Sequence, residues 1–293
     1  MRIVIAGSSG YLGTPLMQAL EGHDLVRLVR RRPDEENEIL WDPYRESLDP
    51  RILDGVDVVV NLCGVNVGAR RWNESFKKRL LSSRVIPTKV LATAVAQAKV
   101  PALVNASAAG WYGDRADVEV DESTPAAADF LGRLCLKWEA ATAPAEEAGA
   151  RVVRLRTGHV LGPDSELLAK LVPAWKCFLG GRFGNGRQYV PWISKRDWVG
   201  AAVSIIEGEA SGPVNMTGPT PVTNREFTRA LGAAVHRPTP WIIPGWAARI
   251  VAGEAANELL RGAKIRPGVL QANNYQYQDE TLFEALRTAI PQH

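Results

Sequence analysis

Ile3-Val4-Ile5-Ala6 runs straight into Gly7-Ser8-Ser9-Gly10-Tyr11-Leu12-Gly13, after which Leu12, Leu16 and Leu20 recur at four-residue spacing. The apolar run suits a buried strand and the leucine spacing suits a helix, so the glycine segment is a strand-to-helix turn. Glycine has three uses in such a turn: to bend it tightly, to let backbone approach a diphosphate, and to let the helix pack closely on the strand. Amide hydrogens and the positive end of the helix then attract phosphate. The spacing 7, 10, 13 differs from GxGxxG, and its meaning comes from the strand before it and the helix after it. The competing reading is a plain turn with no ligand.

The alternation continues outward. Leu25–Val29, Val56–Val60, Ala102–Ala106 and Val152–Leu155 read as further strands. Phe76, Leu80 and Leu81 mark a second helix, and Val90, Leu91 and Val95 a third, with Pro87 starting or kinking it. Strand and helix in turn predict an α/β fold, a Rossmann-like doubly wound parallel sheet. Past about residue 160 glycine and proline become dense and strands short, with helical segments near 196–207, 223–235 and 279–288. Two domains are expected. Residues 1–160 would form the dinucleotide-binding unit, with sheet strands contributed from later segments, and residues 161–293 a smaller α/β lobe on the carboxyl edge of the sheet.

The 293 residues are 46% apolar and 23% charged, which excludes disorder and simple repeats. Thirty-five basic against 32 acidic side chains leave +3, too little for a nucleic-acid-binding field. Cys63, Cys135 and Cys177 match neither a disulfide framework nor a metal-binding pattern, so no metal is expected and the reducing cytoplasm is the natural compartment. The longest apolar stretch, Trp241–Val251, is interrupted by Pro244, Gly245 and Arg249 and falls short of a membrane span.

The end of the second strand bears on which dinucleotide. An NAD site places a carboxylate there for the ribose hydroxyls, but this chain has Val29-Arg30-Arg31-Arg32-Pro33. Guanidinium binds a 2′-phosphate with paired hydrogen bonds, so Arg30 and Arg31 favour NADP(H). The alternative is a solvated basic loop neutralised by Asp34, Glu35 and Glu36.

Further motifs are Trp41-Asp42-Pro43, Asn61-Leu62-Cys63-Gly64, Arg71-Trp72 with Ser83-Arg84, Ser107-Ala108-Ala109-Gly110-Trp111-Tyr112-Gly113, Lys137-Trp138-Glu139, Arg156–Gly162, and Gly186-Arg187-Gln188-Tyr189 leading to Trp192-Ile193. With the glycine turn they resemble, over nearly the whole chain, the extended short-chain dehydrogenases/reductases. More narrowly they are similar to the atypical epimerase-family branch, which carries a C-terminal domain of unknown function, here at about 240–290. The resemblance implies that Gly7, Ser9, Gly10, Tyr11, Leu12 and Gly13 line the pyrophosphate. It implies that Arg30 and Arg31 meet the 2′-phosphate, that Leu62, Cys63, Gly64 and Arg84 flank the cofactor ribose, and that Val160 approaches the nicotinamide. It also implies a domain-linking acid at Asp197.

Typical members use Ser, Tyr and Lys, the latter two as YxxxK on one helix, where the ammonium lowers the phenol's pKa. Ser107 matches the serine and Lys137, on a helix from about Asp129 to Ala143, the lysine. Four residues before Lys137 stands Arg133, which cannot exchange a proton. Tyr112 is the first candidate to replace the tyrosine and His159 the second, ahead of Asp114 and Glu122. His23 and His293 read as bystanders. Arg182 and Arg187 bracket a glycine-rich loop followed by Gln188 and Trp192, which suits either a diphosphate-bearing substrate or a solvated hairpin.

The expected protein is therefore an NADP(H)-dependent oxidoreductase or epimerase-like enzyme acting on a small molecule with a hydroxyl or carbonyl group, a nucleotide sugar among the options. It would be a monomer, or a homodimer through a helix at Asn73–Lys99. The alternative is a dinucleotide-binding regulatory protein with little turnover, as the resemblance to cell-division-inhibitor-like relatives implies.

Overall fold

β1 (Arg2–Ala6) buries Ile3 and Ile5 on one side and Val4 and Ala6 on the other, as a strand covered on both faces must. A computed structural model describes residues 1–45, 48–256 and 260–290 and shows what covers it. β1 lies in a seven-stranded sheet with β2 (Asp24–Val29), β3 (Glu38–Leu40), β4 (Val58–Asn61), β5 (Ala102–Ala108), β7 (Arg151–Thr157) and β12 (Gly212–Met216). The spatial order is β12-β7-β5-β4-β1-β2-β3, and every pairing is parallel. The chain order reverses between β1 and β4, so a crevice opens at their carboxyl ends.

Four two-stranded ribbons complete the β structure. β6 (Glu119–Val120) pairs with β15 (Lys264–Ile265), β8 (His159–Leu161) with β11 (Trp192–Ser194), β9 (Gly181–Phe183) with β14 (Trp241–Ile243), and β10 (Tyr189–Val190) with β13 (Val222–Thr223).

Among the described residues the helices are α1 (Gly13–Ala19), α2 (Glu74–Ala98), α3 (Phe130–Ala140), α4 (Ala143–Glu147), α5 (Glu166–Lys176), α6 (Lys195–Glu207), α7 (Asn224–Ala234), α8 (Gly245–Ala252), α9 (Gly268–Ala272) and α10 (Leu282–Ala289). α1 and α6 cover the Ile3 face of the sheet through Leu16, Ala201 and Ile205, and α2 covers the Val4 face through Leu91 and Val95.

The two helices expected on either side of Pro87 are one. α2 runs 25 residues with Pro87 inside it. Leu80, Ser83, Arg84, Pro87, Thr88, Val90 and Leu91 are all buried along its inner side, and that packing offsets the lost backbone hydrogen bond.

The C-terminal segment reaches back to the sheet-covering helix α6. The carboxylate of Asp197, buried in the first turn of α6, accepts from the amides of Gln278 at 2.7 Å and Asp279 at 3.0 Å. It thereby ties the C-terminal segment to the core. β15 meanwhile docks on β6, beside the Tyr112 loop. His293 lies outside the described residues.

Candidate functional site

The glycine turn is built as a cradle. Gly7 sits at φ +86° with the β4 end so close that a Cβ would fall 2.9 Å from the Leu62 carbonyl carbon. At Gly13 a Cβ would lie 2.2 Å from the Gly7 carbonyl oxygen. Neither position tolerates a side chain. Gly10 donates its amide to the Gly7 oxygen at 3.1 Å, whereas the amides of Ser9, Tyr11, Leu12 and Gly13 have no acceptor among the described residues. Ser9 and Gly10 are exposed. The Tyr11 side chain leaves the cradle: its ring lies 4.2 Å from Lys195 Nζ, and burial pushes its phenol up to about 12.

At the end of β2 the two arginines part company. Arg31 is bidentate to Glu38, at 2.7 and 2.8 Å, and pairs with Asp34 at 2.6 Å. Glu38 is buried and also meets Arg27 at 3.0 Å, while Arg27 Nε donates to Ser8 Oγ at 3.3 Å. The Asp34 amide and Arg31 hold the Glu38 carboxyl below its usual value. Arg30 is exposed and has no ion pair among the described residues. Its charge is felt at Cys63, whose thiol burial nonetheless pushes up to about 12. Of the pair expected at a 2′-phosphate, Arg30 is the open one. Arg31 is occupied by a carboxylate the sequence placed seven residues away.

Beyond β4, Asn61 donates to Thr88 Oγ1 at 2.9 Å and to Asn105 at 2.7 Å, fixing the strand ends against α2. Leu62 and Cys63 are half-buried and Gly64 is exposed, with a Cβ there 3.4 Å from the Arg84 guanidinium. Arg84 is buried, donates to the Leu80 carbonyl at 3.2 Å and lies 5.0 Å from the Trp138 ring centre. Among the described residues no carboxylate pairs with it. Burial pulls it below its ordinary value, but a guanidinium stays charged, and an uncompensated buried cation is costly. It lines a cavity of about 200 Å³ at the carboxyl edge of the sheet.

Ser107, Tyr112 and Lys137 do not meet in that cavity, and none of them lines it. β5 extends through Ala108, so strand alternation turns Ala108 toward the cavity and Ser107 away from it. Ser107 Oγ donates to Glu139 at 2.6 Å. Arg156 grips Glu139 through Nε at 2.9 Å and Nη2 at 3.0 Å, and its Nη1 reaches the Tyr112 hydroxyl at 3.1 Å. That hydroxyl donates to Asn215 at 2.6 Å. Tyr112 is fully buried, which pushes its phenol up to about 12. Lys137 is exposed. The pair one turn apart that α3 does present to the cavity is Leu131 and Cys135. A wall of Ala108, Leu131 and Cys135 holds no group that exchanges protons readily with a substrate oxygen.

His159 does line the cavity. Its ring has no hydrogen-bond partner among the described residues, and burial lowers its pKa. Asp129 is there too, with Oδ1 capping α3 by accepting the Gly132 amide at 2.9 Å.

The NAD dependent epimerase/dehydratase family model matches residues 3–217. The chain belongs to that family. A model of a domain of unknown function, DUF1731, matches residues 243–289. Among curated relatives, an epimerase family protein of Mycobacterium bovis is 49% identical over 288 residues, covering 97% of this chain and 96% of its own length. The mouse epimerase family protein SDR39U1 is 36% identical over 299 residues, covering 99% and 100%. The crystal structure of human SDR39U1, isoform 2, with NADPH superposes at a TM-score of 0.88, with 32% identity and 99% of each chain covered. Family and fold are those the sequence motifs implied.

In this family member the DUF1731 segment supplies one cavity wall, with Arg261, Gly262, Ala263 and Ile265. Arg261 is exposed and unpaired among the described residues. It was missed in the sequence because no local motif surrounds it. The four expected substrate residues do not converge. Trp192 is core, with Nε1 donating to the Thr220 carbonyl at 3.1 Å. Gln188 donates to the Phe183 carbonyl at 3.1 Å, Arg187 is exposed on the loop between β9 and β10, and Arg182 lines a different cavity. Val160 packs against the core, while its neighbours Gly158 and His159 face the cavity.

Proposed function

We propose that the chain is an NADP(H)-dependent oxidoreductase for a small anionic hydroxyl or carbonyl compound, with His159 as its proton-exchanging group. The observation that carries the reading is one cavity lined by Arg84, buried with no carboxylate among the described residues, by the exposed Arg261, and by His159, whose ring has no hydrogen-bond partner among the described residues. Of these only Arg84 is a buried cation, and a buried cation without a countercharge is seldom kept unless a ligand completes it.

The free amides of Ser9, Tyr11, Leu12 and Gly13 would hold the pyrophosphate, as in other nucleotide folds. Arg30 would take the 2′-phosphate. Leu62, Cys63, Gly64 and Arg84 would border the ribose, with Val160 behind the nicotinamide. The human relative of the same fold, crystallised with NADPH, supports the choice of coenzyme. Bound NADP(H) supplies or removes a hydride. His159 would give a proton to the substrate oxygen in reduction and take it back in oxidation, and Arg261 would bind the substrate's anionic group.

A second reading has its own observation. Ala108, Leu131 and Cys135 occupy the wall, so the Ser-Tyr-Lys relay is absent, which favours a dinucleotide-binding regulatory protein with negligible turnover. One experiment separates the two. The purified chain, loaded with NADPH, is offered a panel of carboxylated and phosphorylated carbonyl compounds. The enzyme reading expects NADPH oxidation that His159→Gln lowers at least about a hundredfold, the range of general acid–base catalysis. Tight NADPH binding with no oxidation over hours establishes the second reading.

A further inference from the structure

A second cavity, of about 240 Å³, shares no lining residue with the first. Arg182 on β9, Arg225, Thr228 and Arg229 on α7, and Trp241 and Ile242 on β14 line it. The elements meet because β9 pairs in parallel with β14, placing Arg182 beside Ile242. Arg182 and Arg225 both pass over Gly186, where a Cβ would lie 3.0 Å from Arg182 Cδ and 3.2 Å from Arg225 Cβ. Arg229 follows Arg225 by one helical turn and so shares its face.

Three guanidiniums thus line one cavity, and among the described residues none forms an ion pair. Arg225 donates to the Asn185 carbonyl at 3.3 Å. Arg225 and Arg229 are exposed, so they stay solvated at the mouth, where an anion entering the cavity would meet both along with Arg182. Two buried polar atoms also lack any partner among the described residues, Arg182 Nε and Thr228 Oγ1, and Thr228 is only 3% exposed. A buried hydroxyl and a buried guanidine N–H left unmatched in the same cavity wall are what a bound acceptor would satisfy. Beside them Trp241 is 56% exposed, yet its Nε1 is fixed to the Phe178 carbonyl at 2.7 Å. A held, open indole is a stacking surface. The volume falls below the ~300–1,000 Å³ of pockets that enclose drug-sized ligands, so the cavity takes an anionic group and leaves the rest of the ligand outside, against Trp241.

The geometry points to a binding site for a nucleoside monophosphate. Its phosphate is gripped by Arg182, Arg225, Arg229 and the Thr228 hydroxyl, and its base lies on Trp241. This site is independent of the coenzyme cleft and of the reaction proposed there.

Calorimetry of the full chain with AMP, in saturating NADP⁺ to keep the first cleft occupied, tests it, with inorganic phosphate and adenosine as separate probes. Expected are one AMP per chain, phosphate at least about tenfold weaker, and no adenosine binding at the same concentration. The exposed double substitution Arg225→Ala/Arg229→Ala weakens AMP at least about tenfold with an unchanged melting temperature, and Trp241→Ala erases the advantage of AMP over phosphate. Absence of AMP binding at millimolar concentration overturns the proposal. So does undiminished binding by the double variant at full stability, or equal affinity for AMP and adenosine. Equal affinity for AMP and phosphate in the unaltered chain overturns the role of Trp241 and with it the nucleoside.

Discussion

The glycine cradle after β1 and the cavity wall after β5 both lie at the carboxyl edge of the sheet and treat polar groups in opposite ways. At the cradle, four amides have no acceptor among the described residues, and the nearby buried Arg84 donates to the Leu80 carbonyl but meets no carboxylate among them. At the wall, the residues with chemistry in their side chains have turned inward, where Ser107, Glu139, Arg156, Tyr112 and Asn215 satisfy one another. From β5 and α3 the cavity receives Ala108, Leu131, Leu134 and Cys135. The difference teaches that availability, rather than residue type, distinguishes a binding group from a structural one. Tyr112 and Ser107 spend their hydroxyls inside the fold, whereas Arg84 meets no carboxylate among the described residues.

The comparison breaks most easily at Glu139. Removing one member of a buried, hydrogen-bonded ion pair leaves the other charge stranded, so Glu139→Ala should lose about 3–5 kcal/mol of stability in urea unfolding. A loss below about 1 kcal/mol would mean that Arg156 finds another partner, and the inward network would no longer count as structural. At the cradle the same kind of deletion should act differently. Arg84→Met removes a buried charge that no carboxylate compensates among the described residues, so the melting temperature should hold or rise. NADPH affinity should drop about ten- to a hundredfold, the worth of a hydrogen bond to a charged group. Calorimetry and thermal unfolding on one sample check both. If stability falls along with affinity, Arg84 belongs with the network.

Much of this was legible in the chain. Gly7 and Gly13 announce the cradle because close backbone approach admits no other residue, and the β-branched runs announce the sheet. The interior of the site was less legible, for reasons of register and distance. A one-residue difference in where β5 ends decides whether Ser107 or Ala108 meets the crevice. A two-residue shift on α3 decides between the exposed Lys137 and the cavity-facing Cys135, since neighbours on a helix point apart. Motif spacing suggested the polar residue in both cases. Arg31 was claimed by Glu38 through strand pairing, and Arg261 arrives from the far end of the chain through β15, neither of which has a local signature. Pro87 misled because packing on both sides of it outweighs its local preference.

Arg30 and Arg31 sharpen the comparison within a single loop. Arg30→Ala should weaken NADPH about tenfold or more while leaving NADH nearly unchanged, because only the 2′-phosphate needs the charge. Arg31→Ala should cost NADPH affinity far less, its guanidinium being already committed to Glu38 and Asp34. Equal losses for the two coenzymes in Arg30→Ala would remove the 2′-phosphate assignment. Tyr112→Phe should lose about 1 kcal/mol of stability, the ordinary worth of a buried hydroxyl's hydrogen bonds, with NADPH binding intact. If turnover is found and this variant loses more than about tenfold of it while remaining folded, the phenol acts in the reaction after all.

The smallest effect concerns His159, and its sign follows from burial. The folded chain disfavours the protonated ring, so its pKa lies below the ordinary 6.5. Above that value both folded and unfolded chains carry neutral imidazole and the residue contributes no pH dependence. As the pH falls below 6.5 the unfolded chain takes up a proton that the folded chain refuses, so stability declines until the lower, folded value is passed. One proton limits the slope to about 1.4 kcal/mol per pH unit, and His159→Gln should flatten it. If His159 also donates a proton in carbonyl reduction, the protonated ring is the active form, and the rate should fall as pH rises through the same window. Stability and reduction rate would then run in opposite directions with pH, both losing their slope in His159→Gln. Parallel slopes, or a slope that survives the substitution, would assign the titration to another group and take the proton away from His159.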